Sequence, residues 1–260
     1  MSQGELPAEG LVVAELVEAS PSVQPTPWGL WMTLAFSLAV IVAFVAIQTA
    51  ITIVFIVAQL PKTPITSEYA CNGLLVSLAT WAAASACLAL VVLLIKLRKQ
   101  LSVRDYLSLH RVSIGRFLAW ASLLLIFIAI TDGATWLLGR DVVPHFMIDS
   151  YRTAVIAPLF LASLWIAAPV FEEAFFRGFM FRGIQQSRLG NLGAILITAA
   201  VWSVIHLQYS AYEVAVIFLS GILLGVARAT SNSVYLTIGL HSLMNVVATV
   251  ELWVYLWLPS

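Results

Sequence analysis

Charge is scarce in this chain. Only 10% of its 260 residues are Asp, Glu, Lys or Arg, against about 25% in an ordinary soluble domain. Its 13 basic and 13 acidic residues cancel. Without a basic excess no face is available to meet phosphates, which argues against a nucleic-acid partner. Cysteine is nearly absent too. Cys71 and Cys87 fall on one predicted helix, about 24 Å apart at roughly 1.5 Å per residue, too far to bridge within it. They read as packing residues without a redox role. Residues 1–27 hold Glu5, Glu9, Glu15 and Glu18, four prolines and no Lys or Arg. A secretory signal needs a positive start, so no cleavable signal is expected, and 1–27 is predicted to be a disordered tail.

What the chain has is hydrocarbon: 61% of it is hydrophobic. Apolar runs near the length of a bilayer crossing predict an all-α, polytopic transmembrane helix bundle of about seven spans, with six or eight compatible with the same pattern. The runs are 28–60, 72–95, 117–138, 151–184, 192–207, 212–227 and 234–257. The first exceeds one crossing and must tilt or project. Lys96, Arg98, Lys99, Arg104, Arg111, Arg116, Arg182, Arg188 and Arg228 fall on one side of this arrangement, and Lys62, Arg140 and Arg152 on the other. Basic loops stay in the cytoplasm, which puts the N-terminus there and makes the protein a multi-pass cell-membrane protein whose surroundings are the lipid bilayer. Leu101 to Val112 is too polar to cross and is predicted to lie along the interface as an amphipathic helix. The chain divides into the tail, residues 28–150 with the first spans and this interfacial segment, and residues 151–260.

Against this background Glu172 and Glu173 stand out, side by side in an apolar helix with Arg177 four residues on. Placing a charge at membrane depth costs upward of roughly 2.5 kcal/mol, so such residues are functional candidates by default. Glu173 and Arg177 have the spacing of an intrahelical ion pair. Glu172 points about 100° away around the helix and is left to face the bundle interior. Pro169 removes a backbone donor just before it and predicts a kink, with room for water. Counting from the helix ends, His206 on span five and His241 and Asn245 on span seven reach the same depth as Glu172. His241 and Asn245 are four apart and share a face.

A carboxylate beside a neutral imidazole can hold and deprotonate a water, and burial brings the carboxyl group nearer the working pH. A second imidazole and an amide can donate to a developing oxyanion. That combination suits peptide-bond hydrolysis without a covalent intermediate. Read without chemistry, the Glu-Glu pair is an ion-pair staple to Arg177, and the His and Asn residues are interhelical hydrogen bonds. Asp132, near the same depth on span three, is a supporting candidate. His110 and His145 fall in predicted loops, and Glu213 and Glu251 near predicted, solvated outer ends.

The run Glu172-Glu173-Ala174-Phe175-Phe176-Arg177 resembles the EExxxR motif of the CPBP intramembrane proteases, a family that includes CAAX prenyl endopeptidases and bacterial bacteriocin-processing or self-immunity proteins, also called Abi proteins. Trp202 to His206 resembles its FxxxH motif, and His241 to Asn245 its HxxxN motif. Phe218 to Gly225 and Thr230 to Ser233 are similar to the link between them. The resemblance covers about the last 110 residues. It implies a CAAX protease-like catalytic bundle over 151–260, with Glu172 as general base and His206 orienting the water. His241 and Asn245 would form the oxyanion hole, with Glu173 and Arg177 maintaining the site. It also implies a peptide or membrane-protein substrate and no cofactor. There is no HExxH, yet Glu172, His206 and His241 would also serve as zinc ligands. Trp202 stands where Phe is usual and enlarges the pocket wall; Thr237 stands where Pro is common. The rivals to this reading are a zinc-dependent membrane protease, a non-catalytic immunity or scaffold protein, and a small transporter with midplane carboxylates.

Overall fold

The computed structural model describes residues 26–59, 69, 71–99 and 101–257. The expected tail lies, but for its last two residues, outside the described residues. Among the described residues there is helix and no strand. Seven helices are candidates to cross the membrane. They are α1 (Leu30–Gln59), α2 (Gly73–Leu97), α4 (Ile114–Leu137), α6 (Ala157–Gln185), α7 (Gly190–Val204), α8 (Ala211–Ser231) and α9 (Val234–Trp257). Between them lie two short helices, α3 (Val103–Tyr106) and α5 (His145–Arg152). Six of the seven are long and apolar enough to span, and α7 is shorter. The all-α, seven-span expectation accords with this.

The helix α6 is the centre of the bundle. Half of its apolar window is buried, against 6% for α1, which faces outward over most of its length. Phe171, Phe175, Phe176, Phe179 and Phe181 supply its buried surface. Phe171 stacks between Phe44 of α1 and Phe175, with centroids 5.1 and 5.8 Å away. The helices α7 and α8 approach closely because Gly221 and Gly225 have no side chain. A Cβ on Gly221 would sit 2.9 Å from Ala199 Cβ and 3.1 Å from the Trp202 ring, and one on Gly225 would sit 3.1 Å from Ile195. Small residues let transmembrane helices meet at backbone distance.

Pro169 acts on α6 differently from a simple kink. The helix widens to π turns over Ser163–Ala167 and Glu173–Met180, on either side of the proline. Ala168 N–H reaches back to Ser163 O, and Pro169 has no N–H to offer. The Leu164 carbonyl is thereby left over, and Asn245 Nδ2 donates to it at 2.7 Å. Widened turns of this kind concentrate at functional sites.

Three expectations are corrected. The 101–112 segment is helical only over Val103–Tyr106, and part of it is folded into the bundle. Tyr106, Leu107 and Ser108 are buried in the bundle, because Tyr106 stacks on Phe179 at 5.6 Å and Ser108 accepts a hydrogen bond from Arg228. Cys71 lies just ahead of α2 instead of on it, and both cysteines are free. His145 opens α5, exposed, 3.5 Å from Asp141.

Candidate active site

Glu172, His206, His241 and Asn245 line one cavity of about 630 Å³. The three supporting helices reach it in different ways. Glu172 projects from α6 just before the second π segment. His241 and Asn245 share a face of α9. His206 lies past the end of α7, in the turn that joins it to α8. With 15 residues, α7 is about 22 Å long, less than the roughly 30 Å hydrocarbon core. The turn after it therefore brings irregular backbone to membrane depth, which is tolerated where it lines a cavity.

Each polar group has a defined partner. Trp202 Nε1 donates to Glu172 Oε2 at 2.6 Å. His206 Nδ1 lies 2.7 Å from the Trp202 carbonyl. A carbonyl only accepts, so Nδ1 carries the proton and a neutral His206 keeps Nε2 as an acceptor. His241 Nδ1 lies 3.0 Å from Glu173 Oε1, which also accepts from Arg177 at 3.0 Å. Arg177 further donates to the Gly221 carbonyl at 3.2 Å. Glu173 and Arg177 are completely buried. The expected ion pair is present, and Glu173 holds the His241 imidazole as well as the arginine.

Trp202 sits at the centre of these contacts. Its ring packs edge-on against both His206 and His241, each with centroids 5.3 Å away. The Arg177 guanidinium lies over it at 4.5 Å. Sequence reasoning treated Trp202 as a larger wall; the structure makes it a hydrogen-bond donor to the candidate base. The signal available was the polar N–H of a tryptophan placed where an apolar ring is usual, since a buried indole seeks an acceptor.

Other lining residues were missed or misplaced. Tyr209 lies in the turn beside His206, ring centroids 6.1 Å apart. It is half-buried and lines the cavity. Asp132, the supporting candidate on α4, lines the cavity. Glu251 is half-buried on the same cavity wall instead of solvated at an outer end, and Glu213 lines it too while capping α8 through Ser210. Asn245 differs from expectation in detail: one of its two amide protons is committed to Leu164, leaving one for any other acceptor.

Among the described residues no three His, Cys, Asp or Glu side chains gather closely enough to hold a metal ion. The Nδ1 atoms of both imidazoles are engaged, with Trp202 O and with Glu173. Glu172, His206 and His241 therefore share a cavity without forming a ligand cluster.

No curated protein and no solved structure matches the chain. Residues 154–247 match the model of one protein family, the Rce1-like type II CAAX prenyl endopeptidases. The match takes in Glu172, Glu173, Arg177, His206, His241 and Asn245 and leaves out α1 to α5. With its membrane-crossing helices and these motifs, the protein is similar over residues 154–247 to the Rce1-like type II CAAX prenyl endopeptidases, a match that supports a membrane protease.

Proposed function

We propose that the protein is an intramembrane endopeptidase that hydrolyses a peptide bond with water activated by Glu172. The observation that carries this reading is the convergence of Glu172, His206, His241 and Asn245, from separate elements, on the wall of one cavity. Packing alone does not call for such a meeting, because each polar group placed at this depth costs free energy.

In the proposed reaction Glu172 accepts a proton from water, and the water oxygen attacks the carbonyl carbon of the scissile bond. Trp202 holds the carboxylate by Oε2, leaving Oε1 for the water. His206 Nε2 is the acceptor that orients the same water. Negative charge then forms on the carbonyl oxygen, where His241 and the free amide proton of Asn245 are the available donors. His241 Nδ1 is occupied by Glu173, so Nε2 donates only from the imidazolium, whose charge Glu173 balances. Glu172 passes its proton to the departing nitrogen, the C–N bond breaks, and a carboxylic acid, which keeps the second proton of the water, and an amine leave. Every proton is accounted for without a covalent enzyme intermediate.

The substrate is a peptide or a segment of a membrane protein. The test is a comparison of peptide termini in cells carrying the native protein and cells carrying Glu172→Gln. Termini present with the first and lost with the second support the reading. Identical sets in both, with equal expression, contradict it.

A further inference from the structure

The cavity has a mouth at one end of the bundle and a seal at the other. Its outer wall is built from Asp141 and Pro144, between α4 and α5, with Phe146 at the start of α5, and from Gln208 and Tyr209, between α7 and α8, with Glu213 in the first turn of α8. None of the described residues of 98–113, 186–189 or 232–233, the turns at the opposite end, lines it. There the segment around α3 is folded into the bundle. Tyr106 is fully buried against Phe179. Leu107 lies so close to α6 that a Cβ on Gly178 would fall 2.8 Å from its Cδ2.

Arg228 locks this seal. It is completely buried, and among the described residues no carboxylate pairs with it. It donates to the Arg177 carbonyl at 2.8 Å, to Ser108 Oγ at 2.8 Å and to Asn232 Oδ1 at 2.9 Å. A single cation thus ties α6, the α3 segment and the α8–α9 turn together. Val234 N–H and Ser233 Oγ add bonds to the carbonyls of Ser108 and His110. A buried arginine is expensive unless each donor finds a place, and here its donors are spent closing one end of the site.

The sealed end is also the basic end. Lys96, Arg98, Lys99, Arg104, Arg111 and Arg116 flank it on the α2–α4 side, and Arg182, Arg188 and Arg228 on the other. The mouth carries Arg140 and Arg152. This asymmetry fixes the sealed end in the cytoplasm. The cavity wall carries Asp132, Asp141, Glu172, Glu213 and Glu251 and neither Lys nor Arg. An acidic segment or a free C-terminal carboxylate entering it would meet like charge.

We infer that the site, on the reading proposed above, is served from the non-cytoplasmic face of the membrane, and that its substrate is a neutral or basic peptide segment displayed there. The outer turns form the entry, and the α3 segment with Arg228 forms a permanent floor between the site and the cytoplasm.

Thiol labelling tests the face directly. In a Cys71→Ser, Cys87→Ser background, single cysteines are placed by Gln208→Cys at the mouth and by Arg188→Cys at the sealed end, both exposed. Spheroplasts expressing each variant are treated with a membrane-impermeant maleimide. Gln208→Cys is expected to react fully before lysis and Arg188→Cys only after it; any other pattern overturns the inference. The second arm uses a peptide whose cleavage depends on Glu172, made with Lys or with Glu beside the scissile bond. The Lys form is expected to have the higher kcat/KM, with the difference shrinking in high salt; a preference for Glu overturns the claimed charge selectivity. The two levels separate cleanly. Reversed labelling with an inactive Glu172→Gln protein defeats the inference and leaves the protease reading standing. Expected labelling with a fully active Glu172→Gln protein does the opposite.

Discussion

Trp202 donates its indole N–H to Glu172 Oε2 at 2.6 Å while its own backbone carbonyl accepts from His206 Nδ1 at 2.7 Å. One residue therefore aims the candidate base and sets the tautomer of the candidate imidazole. The first bond is lost if the ring becomes phenylalanine; the second survives.

That difference gives the first prediction. A hydrogen bond to a charged group is worth about 1.5–3 kcal/mol, so Trp202→Phe should lower kcat/KM roughly 10- to 100-fold with most of the loss in kcat. Steady-state kinetics on both proteins checks this, and a full kcat in the variant counts against the positioning role.

The buried Glu173–Arg177–His241 group should behave as a unit. Removing one partner of a buried pair leaves the other uncompensated, at a cost of about 3–5 kcal/mol. Arg177→Met should therefore lower the melting temperature strongly. Arg177→Lys should not restore it, since an ammonium cannot reach Glu173 and Gly221 together in the same planar arrangement over Trp202. Thermal unfolding in detergent reads both variants.

Gly221→Ala adds a methyl group 2.9 Å from Ala199 and 3.1 Å from the Trp202 ring. Overpacking costs about 1–3 kcal/mol, and the ring is the neighbour that holds Glu172. The expected result is a lower melting temperature together with an activity loss that resembles Trp202→Phe. Unchanged activity at a reduced melting temperature would separate the glycine from the site.

Burial pushes the Tyr106 phenol up to about 12 from the ordinary 10.0. The unfolded chain then loses this proton first, so stability is fully present below pH 10.0 and falls as pH rises toward about 12. Tyr106→Phe should flatten part of that alkaline loss in a series of melting curves. An identical alkaline slope in both proteins would place Tyr106 in water.

Much of this was legible in the sequence, for physical reasons. Apolar length and loop charge mark crossings one at a time, and the 3.6-residue repeat puts Glu173 with Arg177 and His241 with Asn245 without reference to other helices. Depth counting then brought Glu172 and His206 to one level. What escaped depended on three-dimensional neighbours. The π widening beside Pro169 moved the orphan carbonyl to Leu164 and drew in the Asn245 amide. The early end of α7 placed Tyr209 beside His206. The 101–112 segment looked interfacial because its polar residues were counted as solvated, whereas Ser108 serves a buried arginine donated by α8. Glu251 looked solvated because its distance from the helix end says nothing about Asp132 on the facing helix.

The account's central claim is that Glu172 carries the chemistry. The most direct measurement is the cleavage rate of a responsive peptide by purified native and Glu172→Gln proteins with matching melting curves. General-base catalysis contributes about 10²- to 10⁴-fold, so the variant should be slower by at least two orders of magnitude. A folded Glu172→Gln protein that cleaves at the native rate would contradict the account.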